Sequence, residues 1–197
     1  VQYYTKLFRY PRVVTEQFDH YTKQTYRNRC VIAAPDGPLA LTVPTVKYEG
    51  LKCPMKDIRI SDHGNWRHLH WNALESAYRN SPFFEYYADD FRPFYEKKWD
   101  FLLDFNLAIQ DTVCRLIDLQ PQMSRSDQFL DENCGPAEDC RFLIQPRVPA
   151  EQDAHFRAVP YYQVFAERNG FLPNLSIADL LFNMGPESLL VLRDCCQ

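Results

Sequence analysis

The 197-residue chain has no Cys-x-x-Cys pair, no Gly-x-Ser-x-Gly elbow, no Walker-type loop and no Gly-x-Gly-x-x-Gly fingerprint. Each absence removes a class. Zinc-ribbon and thioredoxin-type sites lose their usual spacing. Hydrolases with a nucleophile elbow, P-loop enzymes and dinucleotide-binding domains lose theirs. With six glycines in all, a glycine-rich phosphate cradle is not available, so a nucleotide would be held by side chains or a helix N-terminus. No run approaches the roughly 18 apolar residues of a membrane helix. Basic excess is missing as well: 22 Lys and Arg stand against 26 Asp and Glu, a net charge of −4 that argues against nucleic acid as the partner.

Seven cysteines are present, an odd number at irregular spacings, which fits free thiols of the cytoplasm better than a secreted disulfide framework. Cys134 and Cys140 are near enough in sequence to bridge a loop. The chain starts at Val1 rather than Met, so a missing signal peptide adds little to the cytoplasmic expectation. Aromatics are plentiful: 14 Phe and 12 Tyr exclude a disordered chain.

Gln2 to Tyr10 reads as a short helix ended by Pro11, and Val13-Val14 opens a strand. Cys30 to Ala34 and Leu39 to Val43 read as a hairpin across Pro35-Asp36-Gly37-Pro38. Asp57 to Ser61 alternates like a further strand. Asn65 is placed to cap a helix from Trp66, with Trp66, His70, Ala73, Leu74 and Ala77 on one face. Ser81-Pro82 suits a second helix start, interrupted by Pro93. Trp99 to Leu119 is the longest helix candidate, with Leu102, Phe105, Ile109, Val113 and Leu116 as its stripe. Residues 120–160 form a proline-rich excursion with a short strand near Arg141 to Ile144. Tyr161 to Ala166 reads as a strand, and Ser176-Ile-Ala-Asp179 as a capping box before a helix closed by Gly185. The expected fold class is α/β: one domain over residues 1–197, with a mixed β-sheet, a β-hairpin and a helical middle section.

Three stretches, in order and in spacing, resemble the WbqC-like protein family of bacteria. The first is Lys23-Gln-Thr-Tyr26-Arg27-Asn28-Arg29 leading into Leu41-Thr-Val-Pro44. The second is Trp66-Arg-His-Leu-His70 with Ala77-Tyr78 and Pro82-Phe83-Phe84. The third is Tyr161-Tyr-Gln163 with Phe171, Pro173, Leu175 to Asn183 and Gly185. The resemblance implies a strand and a His-Gln-Pro-type turn ahead of position 1. Where the family often has paired Asp before the Lys, this chain has Gln17-Phe18-Asp19-His20, and Asp131 to Pro149 departs from its pattern. Family members occur in gene clusters for O-antigen and related surface polysaccharides, and a glycine (aminoacyl) transferase has been suggested for some. The resemblance therefore implies a transferase in that pathway; the alternative is a non-catalytic protein that binds a nucleotide-sugar or a partner enzyme.

Several residues can carry such chemistry. Lys23, Arg27 and Arg29, with Tyr26 and Asn28, concentrate three cations within seven residues of an acidic chain, an arrangement for a nucleotide-sugar or other anionic small molecule. The structural alternative is a solvated basic edge with Arg29 paired to a core carboxylate. His70, on the apolar face of its helix, is a candidate general base; the alternative is a core histidine bonded to a backbone carbonyl. His63, His68 and His70 are not spaced to chelate a metal. Asp179 either orients a basic or substrate group or serves helix capping with Ser176. Asn183 is a cap or a ligand contact. Tyr161 and Gln163 share a face that can meet a sugar, and Tyr78 belongs to an aromatic patch that either stacks a sugar or packs the core.

Overall fold

Tyr10 precedes Pro11, and a residue before proline is pushed out of the helical region. The first helix, α1 (Gln2–Arg9), accordingly ends with Tyr10 extended in the computed structural model, which describes residues 1–48, 50, 52–131 and 137–197. The chain then enters β1 (Val13–Thr15). The next strands are β2 (Arg29–Ala34) and β3 (Gly37–Thr42), an antiparallel pair in register from Arg29 opposite Thr42 to Ala34 opposite Gly37. Pro35 and Asp36 make the reversal, and Gly37 takes a φ of 114° that a side chain would resist.

Three α-helices form the middle: α2 (Trp66–Tyr78), α3 (Phe84–Glu96) and α4 (Leu102–Leu116). The face expected on α2 is the face it buries, through Trp66, His70, Leu74 and Ala77. A short strand, β4 (Met123–Arg125), lies parallel to β1. The chain closes with α5 (Ala166–Asn169), α6 (Ile177–Met184) and α7 (Ser188–Cys195). Parallel and antiparallel pairing are thus both present in an α/β chain, as two small sheets, β1–β4 and β2–β3.

Several local expectations are corrected. Asp57 to Ser61 is not a strand: a 3₁₀ turn over Met55–Asp57 leads into two isolated bridges, Arg59 with Phe101 and Ile60 with Thr45. The alternation records the burial of Ile58 and Ile60, not a ladder. Asn65 sits in the left-handed region and makes no side-chain cap. Ser81 does not start α3, because its hydroxyl donates to the Tyr78 carbonyl and closes α2. Pro93 lies inside α3, which runs three residues past it; so near the helix end one missing N–H is tolerated. Residues 141–144 are a turn rather than a strand, and Tyr161 to Phe165 is irregular. Position 134, and with it the Cys134–Cys140 bridge, lies outside the described residues; the six described cysteines are free.

The core has two parts. Leu7, Ile32, Leu74, Tyr78, Val113 and the run Leu180-Leu181-Phe182 belong to the larger. Tyr21, Ile58, Trp66, Phe94, Leu102 and Phe105 belong to the smaller. Tyr95 and Ile109 pack against both, which ties the helical middle to the hairpin side.

Candidate functional site

The Lys23–Arg29 run divides into a structural and an available half. Arg27 ion-pairs with Asp19 and donates to the His20 carbonyl, so the arginine held by a carboxylate is Arg27 and not the expected Arg29. Asn28 is buried; its Nδ2 donates to the Val43 carbonyl at 2.9 Å, while its Oδ1 has no partner. Arg29 makes no ion pair among the described residues, and its Nε is buried without a hydrogen bond. Buried polar atoms are nearly always paired, so both atoms are exceptions within the protein. Lys23 is exposed and free of ion pairs among the described residues. Half-buried Tyr26 has its phenol pushed up by burial, with the Arg29 charge opposing.

His70 lies on the other side of β3 from this run. It is 8% exposed, with the Trp66 ring 5.1 Å and the Tyr95 ring 6.3 Å away. The Thr42 backbone lies against its imidazole and favours the protonated ring, and Thr42 is the register partner of Arg29. Val43 N donates to the Asn28 carbonyl at 2.8 Å, which makes 29–42 the wide pair, with the Thr42 carbonyl directed out of the hairpin toward the helix. Burial lowers the His70 pKa to about 4, against the pull of the Thr42 backbone, so the ring is neutral at pH 7.

Asp179, Tyr78, Tyr161 and Gln163 meet at a second centre. Asp179 is fully buried; Tyr78 Oη donates to it at 2.8 Å, Tyr161 Oη at 2.7 Å and Gln163 Nε2 at 3.1 Å. Burial raises its pKa, with the three donors pulling the other way. Both tyrosines titrate well above the ordinary phenol range, chiefly through burial and then through the Asp179 charge. Tyr78 Oη also accepts from Ala33 N at 3.1 Å, tying β2 into the network. Gln163 is spent on both ends, accepting from Leu172 N and donating to Leu172 O. Ser176 caps α6 through Ala178 N at 3.3 Å, but Asp179 does not complete a capping box; its carboxylate turns inward. Asn183 donates to the Asp179 carbonyl at 2.8 Å and leaves its Oδ1 buried and unpaired.

The structure therefore brings Tyr78, Tyr161, Gln163, Asp179 and Asn183 together under α6, while His70 is related to Arg29 only through Thr42, against whose backbone the ring lies. Tyr78 and His70 share α2, two turns apart, which is the link between the two centres. The sequence reading missed a buried ion pair: Lys6 Nζ lies 2.6 Å from Asp153, with side chains 5% and 1% exposed, and Gln2 Nε2 donates to the same carboxylate at 2.9 Å. Lys6 sits on the buried side of an otherwise amphipathic α1, the one local sign of a partner; Asp153, in the irregular excursion, carried none. Burial pushes all six described thiols up, those of Cys30, Cys114 and Cys140 to about 11, so none is primed as a nucleophile. No group of His, Cys, Asp and Glu that could hold a metal occurs among the described residues.

A family model for the WbqC-like protein family matches residues 1–141, well over half of the chain. The chain belongs to the WbqC-like protein family. The match takes in the Lys23–Arg29 run, the hairpin and α2 with His70, and ends before Tyr161. A curated protein of Mycobacterium tuberculosis, named uncharacterized protein Rv1507c, is 27% identical over 198 residues, covering 90% of this chain and 85% of its own length. No solved structure matches. No helix among the described residues of this WbqC-like protein is long and apolar enough to cross a membrane.

Proposed function

We propose that this WbqC-like protein is a transferase of bacterial surface-polysaccharide biosynthesis that passes glycine or another small acyl group to a sugar. One observation supports it above the rest: Arg29, without an ion pair among the described residues, is the register partner of Thr42, whose backbone lies against the buried, neutral His70. Arg29 and Lys23 hold an anionic donor or nucleotide, with Tyr26 beside them; Arg27, through Asp19, and Asn28, through the Val43 carbonyl, keep the loop in place. A sugar amine or hydroxyl attacks the acyl carbon, a C–N or C–O bond forms, and the bond from carbon to the donor's leaving group breaks. His70 takes the nucleophile's proton on its neutral imidazole and returns it to the leaving group. Asp179, with Tyr78, Tyr161, Gln163, Ser176 and Asn183, positions α6 against α2 and so sets the angle of the helix that carries His70.

The His70 environment favours a second reading, non-catalytic binding of a nucleotide-sugar. A pKa of about 4 makes the ring a weak base, and its contact with the Thr42 backbone is also what a structural core histidine makes. Turnover separates the two. The protein is incubated with uridine diphosphate sugars and glycyl thioesters, and acylated sugar is measured by mass spectrometry. Product that falls at least about a hundredfold in folded His70→Gln, the low end of general-base effects, supports the transferase. Saturable ligand binding without product leaves the binding reading.

A further inference from the structure

Between α2 and α3 runs an open cleft of about 230 Å³, walled by Arg67, His68, Trp71, Arg92, Tyr95 and Glu96. It takes in none of the Lys23–Arg29 run. Its two guanidinium groups are held in the same manner. Arg92 lies over the Trp71 ring, 5.1 Å from the centroid, with Glu75 at 3.8 Å. Arg67 lies over the Trp66 ring at 5.5 Å and donates to Asp62 at 2.7 Å. Asp62 is shared with Lys98 at 2.6 Å, so it is not a full counter-charge for Arg67. An aromatic face and an acidic edge fix each fork in orientation while most of its N–H groups stay uncommitted; none of the described hydrogen bonds uses an N–H of Arg92. Asn72 Nδ2 lies 2.9 Å from His68 Nε2; with the amide as donor, the ring hydrogen sits on Nδ1 as a further donor. Against these donors stands a single acceptor charge, Glu96, exposed and without an ion pair among the described residues.

Size and charge pattern select the ligand. At about 230 Å³ the cleft matches a monosaccharide-sized group, and any larger ligand would extend beyond it into solvent. A bare anion meets Glu96 as well as the arginines. A small molecule that carries an anion at one end and hydroxyl donors at the other satisfies both. We propose that the α2–α3 cleft binds a monosaccharide unit bearing a carboxylate or phosphate, its anion on Arg67 and Arg92 and its hydroxyls on Glu96. The anion preference rests on the cleft alone. The sugar deepens the transferase reading and rests on it, as the acceptor subsite. The Tyr95 ring stands 5.8 Å from that of Trp71 and 6.3 Å from that of His70, so the cleft and His70 share a wall.

Calorimetric titration of the full chain with glucuronate, glucose 1-phosphate, glucose and inorganic phosphate tests this. Either acidic sugar is expected to bind at least about tenfold more tightly than glucose and than inorganic phosphate; their ratio tells carboxylate from phosphate. Arg92→Ala and Arg67→Ala each weaken the acidic sugars by about tenfold or more, and Arg92→Lys, which keeps the charge without the fork, falls between. Glu96→Gln moves the two probe types in opposite directions, weakening the acidic sugar and strengthening inorganic phosphate, a reversal that misfolding does not produce. Binding of neither acidic sugar, equal binding of glucose, or unchanged affinity in folded Arg92→Ala overturns the proposal. No acyl donor is present in these titrations, so their failure and a failure of the transfer assay are separate results.

Discussion

A buried carboxylate is expensive to desolvate, and Asp179 offsets that cost with three neutral side-chain donors rather than with an ion pair to a basic side chain. Asp179→Asn replaces one acceptor oxygen by an NH2 group that faces a hydroxyl. The expected loss is about 2–4 kcal/mol of stability, read by urea unfolding, with Tyr161→Phe costing less and the double variant less than the sum. His70 predicts a pH dependence. Its folded pKa, about 4, lies below its ordinary 6.5, so the unfolded chain takes up the proton first. The His70 contribution is then fully present above pH 6.5 and is lost as pH falls from 6.5 toward 4, on the order of 2–3 kcal/mol in all. Unfolding free energies of the native chain and of His70→Gln, measured across that window, are expected to converge toward pH 4; parallel curves would contradict the assignment.

Gly185 ends α6 with a φ of 54°, and a Cβ there would sit 2.5 Å from the Phe83 ring. Gly185→Ala therefore combines left-handed strain with a clash at the α3 start, and is expected to cost about 2–4 kcal/mol in thermal or urea unfolding. Lys6 and Asp153 pin α1 to the 150s segment. Lys6→Met leaves an uncompensated buried carboxylate, and about 3–5 kcal/mol is the expected loss. Elements whose cause is local were legible: the α2 stripe, the hairpin around Pro35-Asp36, the glycine stop of α6. Those whose cause is distant were not. β4 is three residues, Met-Ser-Arg, with no strand pattern of its own, and exists because β1, more than a hundred positions earlier, lies beside it. The alternation that puts Tyr161 and Gln163 on one face of a strand finds no strand here; what they share is Asp179, which both contact. Arg27 and Arg29 look alike in sequence; the distinction is set by Asp19, whose carboxylate reaches only the first.

At the scale of the whole molecule, two core clusters meet at Tyr95 and Ile109, and His70 packs against Tyr95 at that seam. The Arg-Asn-Arg run lies on one side of the hairpin edge and His70 on the other, while the Asp179 network anchors the far end of α2. Family membership over residues 1–141 covers the first two parts. The proposed function stands on Arg29 receiving an anion. The most direct measurement is therefore calorimetric titration of the native chain and of Arg29→Gln with uridine diphosphate sugars, at matched ionic strength and with folding of both proteins checked by circular dichroism. Saturable binding to the native chain that weakens at least about tenfold in Arg29→Gln is the predicted result, as expected for loss of a charge-assisted fork. Equal affinity in the two proteins, or no binding to either, would contradict it.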